Sequence, residues 1–164
     1  MRKGRIQDLE AVEKIYQEAK ARMAAGGLDQ WQGAYPSGLD FLKDLEEDQA
    51  YVWEDGGQVI AVAACVLGQE KNYEKIQGAW TLPGPYVTIH RLAIGDAGQG
   101  RGLANGIFQD IESYFAQKLL LVRIDTHRDN KAMQRILKKR NYHYAGVIQV
   151  ADGTDRDGFE KELR

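Results

Sequence analysis

Between an apolar run, Pro85 to Ile94, and a helically periodic run, Leu103 to Phe115, the chain carries glycine at every second position: Gly98-Gln99-Gly100-Arg101-Gly102, followed by Leu103-Ala104. The helical run places Leu103, Ile107, Ile111, Tyr114 and Phe115 inward, and Leu119 to Thr126 after it reads as a second strand. Strand, helix and strand in that order form a crossover, so the two strands are parallel and end at the same edge of a sheet. Residues 94–102 are then the loop at that edge, a place where open α/β sheets bind ligands.

Glycines leave the backbone amides of this loop uncovered, and the positive end of the following helix dipole points the same way. The pairing suits a phosphate or pyrophosphate, and Arg101 adds a positive charge. A tight strand-to-helix turn would account for one glycine, but three alternating ones favour an anion cradle. The ligand is narrowed by spacing. A P-loop needs Lys and then Ser or Thr where Leu103 and Ala104 stand, which excludes it. A dinucleotide fingerprint starting at Gly100 and Gly102 meets Asn105 in its last position, with Gly106 one residue late, and fits poorly.

Upstream, Arg2 to Ile6 reads as a short strand, and Asp8 caps a helix with Leu9, Val12, Tyr16, Ala19 and Met23 on one face, stopped by Gly26-Gly27. Ser37 and Asp40 form a capping box for a second helix with Leu39, Leu42 and Leu45 inward. Ala50 to Glu54 and Gln58 to Leu67 flank Asp55-Gly56-Gly57 as a hairpin. Gly68 to Gly84 shows no period and is expected to be a flap without firm structure. Asp129 is expected to cap a helix carrying Met133, Ile136 and Leu137, and Tyr142 to Val150 with Gly158 to Leu163 closes the chain as an antiparallel hairpin. The fold class predicted is a mixed α/β sheet of about six to seven strands with helices on both faces.

A chain of 164 residues without repeat or linker is expected to be one domain spanning 1–164. With 22 basic and 24 acidic residues, a formal charge of −2 offers no general attraction for nucleic acid or anionic membrane. One cysteine, Cys65, excludes an intramolecular disulfide and a cysteine metal cluster, and its apolar surroundings favour a small core residue over a nucleophile. The amphipathic start MRKGRIQDLEAVEKIY lacks an uninterrupted apolar stretch, so the expected location is the cytoplasm.

The loop resembles the GNAT acyltransferases, which carry Q/R-x-x-G-x-G/A at the start of their central helix. Gln99, Gly102 and Ala104 match that motif, with Leu92-Ala93-Ile94 as the strand leading in. Asp125 to Asn130, Met133-Gln134-Arg135 and Asn141-Tyr142 resemble the family's next segment. The resemblance covers nearly the whole chain and implies an N-acetyltransferase using acetyl-CoA, without a metal. It implies cofactor contacts from the backbone of Leu92 and Ile94 to the pantetheine arm, from Gln99, Gly100, Arg101, Gly102, Leu103 and Ala104 to the pyrophosphate, and from Asn130 to the arm. The acceptor implied is an amine of a small molecule or protein, and the enzyme a monomer or homodimer.

The chain departs from the family twice. The glutamate often found on the strand before the loop is absent from Thr88-Ile89-His90-Arg91-Leu92, leaving His90 as the nearest candidate base or else a structural histidine. Strand alternation puts His90 on the face of Thr88 and Leu92. His127 reads more simply as a solvated loop residue. The tyrosine that often protonates the departing thiolate would fall at Leu137. Trp31, Tyr35 and Trp80 are candidate acceptor-pocket residues, or aromatics covering the edge of the core. A binding module that keeps the cradle without turnover stays open, as does, more weakly, a nucleotide-binding protein.

Overall fold

The computed structural model describes residues 1–118, 121–151 and 153–163. In chain order the elements are β1 (Arg2–Lys3), α1 (Leu9–Ala25), α2 (Gly38–Glu46), β2 (Ala50–Asp55), β3 (Gln58–Leu67), β4 (Ile76–Gly78), β5 (Tyr86–Ile94), α3 (Leu103–Phe115), β6 (Leu121–His127), α4 (Lys131–Lys139), β7 (His143–Gln149) and β8 (Asp155–Glu162). The strands form one mixed sheet in the order β1-β2-β3-β5-β6-β8-β7-β4, eight strands where six to seven were expected. Leu119 and Leu120, expected to open the second parallel strand, lie outside the described residues. The chain divides into two compact units, residues 1–65 with 90–107 and residues 66–89 with 108–164.

In the first unit, α1 buries Val12, Ile15, Tyr16 and Ala19 against Phe41, Ala50, Val52, Val62 and Ala93. Each such large apolar side chain contributes about 1.5–3 kcal/mol through burial. Asp8 precedes α1 but its carboxylate makes no cap bond to it; it accepts the Arg5 amide at 2.8 Å and is forked by Arg2. The Ser37–Asp40 capping box of α2 forms as expected, with Ser37 N donating to Asp40 Oδ2 at 2.8 Å. The predicted inward face holds in part: Leu42 and Leu45 are half-buried, Leu45 against this core, but Leu39 is 78 % exposed, while Phe41 and Asp44 are buried. Phe41, the larger apolar side chain, takes the inward face, and the Asp44 carboxylate that this leaves buried is matched by Arg91. β2 and β3 pair antiparallel from Ala50↔Ala64 to Asp55↔Gln58, and Gly56 and Gly57 both take the positive φ that the two-residue turn demands.

In the second unit, Tyr86–Ile89 of β5 pair in parallel with Leu121–Ile124 of β6, as the crossover predicts. β6, β8, β7 and β4 then follow with antiparallel pairings. The expected flap is instead anchored. β4 pairs with β7 through Gly78↔Gly146, where a Cβ on either glycine would lie 2.3 Å from a carbonyl oxygen of the other strand. Tyr73 is buried and donates to Asp125 Oδ2 at 2.7 Å. Glu160, 1 % exposed, accepts from Thr81 N at 2.6 Å and from Leu82 N at 3.2 Å. Along α3 the predicted helix is correct, but Tyr114 is 37 % exposed and Phe108 is fully buried in its stead.

Candidate active site

β5 ends at Ile94, and Gly95 N continues the pairing by donating to Ile60 O at 2.9 Å. A single 3-10 turn, Asp96–Gly98, follows, closed by Gly98 N to Gly95 O at 2.9 Å and Gln99 N to Asp96 O at 3.1 Å. Three side chains hold this turn. Arg22 of α1 bonds Ile94 O and Asp96, Glu18 accepts the Asp96 amide at 2.7 Å, and Gln99 Nε2 returns to Ile94 O at 3.1 Å.

Beyond it, Gly100 and Gly102 take φ of +70° and +67°, with nothing within 4 Å of where a Cβ would stand. Among the described residues, no turn hydrogen bond is donated by the amides of Gly100, Arg101 or Gly102. The left-handed glycines therefore present uncommitted N–H groups beside the start of α3, whose first-turn amides have no partner within the helix. Arg101 pairs with Asp55 at 2.7 Å, but both side chains are about half exposed and the pair contributes little, so an anion can draw the guanidinium away. Glycines without neighbours, open amides, a helix N-terminus and one mobile cation fit a diphosphate.

Next to the loop, Arg91 has a left-handed backbone, φ +52°, inside β5. The period-two alternation behind the expectation that His90 and Leu92 share a face is interrupted there. His90, Leu92 and Ile94 are half-buried. Arg91 Nε donates to Asp44 Oδ2 at 3.0 Å, Nη2 to Asp44 Oδ1, and Nη1 to Tyr35 Oη at 3.0 Å. Burial works against the guanidinium charge, but Tyr35 and Asp44 outweigh it and hold the group charged. Burial pushes the Asp44 carboxyl up, and the forked guanidinium offsets part of that. Trp31 stands edge-on to Tyr16, ring centroids 6.4 Å apart, and the fully buried Tyr16 hydroxyl has no partner among the described residues.

The first unit thus brings together His90, Leu92, Ile94, the loop from Gln99 to Ala104, and Tyr35 through Arg91. The second unit holds Asn130, His127 and Trp80. Asn130, not Asp129, caps α4: its Oδ1 accepts Met133 N at 3.1 Å. His127 Nδ1 accepts the Asp129 amide at 3.1 Å, so a neutral ring carries its proton on Nε2. Trp80 covers Gly158 and lies 4.4 Å from the Arg123 guanidinium, its Nε1 donating to Tyr73 O at 3.0 Å. Leu137 is fully buried. Burial also drives the Cys65 thiol well up, so it is no nucleophile. Among the described residues no group of three or more His, Cys, Asp or Glu could hold a metal, and no helix is long and apolar enough to cross a membrane. Sequence reasoning missed Asp44, whose only signal was an Arg in an apolar strand that required a partner.

The profile of the Acetyltransferase (GNAT) family matches residues 9–142. A comparison with curated proteins gives no match. Among solved structures, a GNAT-family acetyltransferase from Streptococcus agalactiae 2603 is 33% identical, with 98% of this chain and 93% of that chain covered and a TM-score of 0.90. Two more distant structures share the fold. The ribosomal-protein-S18-alanine N-acetyltransferase from Escherichia coli is 15% identical over 99% of this chain and 92% of that one, TM-score 0.68. A provisionally assigned acetyltransferase from Salmonella typhimurium, solved with its cofactor acetyl-CoA, is 16% identical over 99% and 92%, TM-score 0.70. With the glycine loop, its strand and its helix in place, the chain belongs to the GNAT family of acetyltransferases, in which transfer of an acetyl group from acetyl-CoA is general.

Proposed function

We propose that this protein is an N-acetyltransferase that moves the acetyl group of acetyl-CoA to a primary amine of a small molecule or protein by direct attack on the thioester. The observation that carries this reading is the pair of left-handed glycines, Gly100 and Gly102, with open amides at the head of α3. Gly100, Arg101, Gly102, Leu103 and Ala104 bind the pyrophosphate through backbone N–H groups and the helix dipole, while Gln99, whose amide is closed on Asp96 O at 3.1 Å, holds the turn that presents them. Leu92 and Ile94 orient the pantetheine arm as an added strand would be oriented, and a β5 amide near Leu92 stabilises negative charge on the thioester oxygen. For the second unit we propose Asn130 as a donor to the arm. When bound, acetyl-CoA supplies an activated carbonyl carbon and a thiolate leaving group.

An ammonium must lose its proton before attack, and His90 takes it, directly or through water. No residue of the chain is assigned to protonate the thiolate, which is a tolerable leaving group. Trp31 and Tyr35 line the acceptor side of the first unit, and Trp80 is the second unit's candidate. We place the enzyme in the cytoplasm as a single domain, residues 1–164, working as a monomer or homodimer without metal, nucleic acid or membrane.

One observation favours a second reading, an acyl-CoA-binding regulatory module: the fully buried Leu137 at the position where the family resemblance implies a tyrosine acid. Release of free thiol from acetyl-CoA across a panel of amines separates them. Saturable release is expected; tight binding with no release for any amine selects the module.

A further inference from the structure

Arg91 combines two features that the glycine loop does not require. Its backbone is left-handed within a strand, a conformation that side chains with a Cβ seldom adopt. Its guanidinium is held at three points, two on the buried Asp44 carboxylate and one on the Tyr35 hydroxyl. A planar fork bound bidentately fixes orientation as well as position. The anchor is itself fixed, since Asp44 lies on α2, whose first turn is closed by the Ser37–Asp40 box. Stability alone does not explain the pair, because desolvation offsets most of what a buried ion pair gains, and setting one conformation is its best-attested use.

We propose that Asp44 and Tyr35 lock Arg91 in its left-handed conformation and so set the direction of the His90–Leu92 backbone, making Asp44 and Arg91 positioning residues for the strand that receives the acetyl-CoA arm. The inference rests on the reading that β5 receives that arm. Reversal of a familiar preference tests it. In a regular strand alanine is favoured over glycine, whereas at a left-handed position glycine is favoured. Asp44→Asn removes the buried charge, so that Arg91 can be replaced without orphaning a carboxylate.

Acetyl-CoA affinity is measured by calorimetry on Asp44→Asn/Arg91→Gly and Asp44→Asn/Arg91→Ala, with thermal melts to confirm folding. The lock predicts that the alanine variant binds roughly tenfold more weakly than the glycine variant, the equivalent of about 1.4 kcal/mol. Equal affinities, or tighter binding by the alanine variant, overturn it. Should either double variant fail to fold, Tyr35→Phe removes one bond at a residue 45 % exposed. Weaker acetyl-CoA binding at an unchanged melting temperature then supports the lock, and unchanged affinity overturns it. Failure of the unaltered protein to bind acetyl-CoA would sink the proposed function and this inference together, whereas normal binding with the wrong order of variants sinks the inference alone.

Discussion

Gly98, Gly100 and Gly102 alternate in sequence but are glycine for two different reasons. At Gly98 a Cβ would stand 2.7 Å from Ile94 Cγ2, so the constraint is packing. At Gly100 and Gly102 the space is open and the constraint is the positive φ. Gly102→Glu therefore costs about 1–2 kcal/mol of backbone strain, but its main effect is to set a carboxylate against the diphosphate. Calorimetry is expected to show no acetyl-CoA binding by the folded variant, and unchanged affinity would move the cradle elsewhere. If His90 takes the acceptor's proton, His90→Ala lowers turnover most below about pH 8, where amine acceptors are mostly protonated. An unaltered pH–rate profile assigns the step to water. The loop was legible in the sequence because glycine spacing is local. The Arg91–Asp44 pair was not, because its partners are 47 residues apart and an Arg in an apolar strand signals that a partner is needed without saying which.

At the scale of elements, α2 shows where periodicity misleads. Leu39, Leu42 and Leu45 read as an inward stripe, yet the helix turns Phe41 and Asp44 to the core with Leu45 half-buried, because Phe41 buries more apolar surface than Leu39 and Arg91 matches the Asp44 charge. Chemical denaturation should show Phe41→Ala costing about 3–5 kcal/mol and Leu39→Lys staying within about 0.5 kcal/mol; the reverse ranking would contradict this orientation. β4 escaped prediction because a strand of three residues containing a glycine carries no period. Its place depends on paired glycines and on the anchoring of Tyr73 and Thr81, which only the fold reveals.

On α3, Glu112 receives two bonds from Arg140, at 2.9 and 2.8 Å, and one from Lys161 at 2.7 Å. Burial pushes its carboxyl up, but these bonds outweigh it and the net displacement is below the ordinary 4.5. The folded state thus binds this proton more weakly than the unfolded chain does. Its stabilising contribution is complete above pH 4.5 and is lost as pH falls through the lowered value. Glu112→Gln should flatten this part of the stability–pH curve in denaturant titrations between neutral and acid pH. A curve of unchanged slope would show that the cluster carries no linkage.

For the molecule as a whole, three of the seven strand pairings, β2 with β3, β5 with β6 and β7 with β8, could be read in advance from the crossover and the two hairpins, since each rests on neighbours in sequence. The family followed from the glycine motif, and the profile over residues 9–142 agrees. The acceptor was not legible, because Trp31, Tyr35 and Trp80 sit in aperiodic segments and only the fold shows Tyr35 on Arg91 and Trp80 on Arg123. A crystal structure with acetyl-CoA is the measurement that bears most directly on the central claim. The diphosphate is predicted within hydrogen-bonding distance of the amides of residues 100–104, with Arg101 released from Asp55. A complex whose diphosphate lies elsewhere, or a loop whose amides are closed by its own side chains, would contradict it.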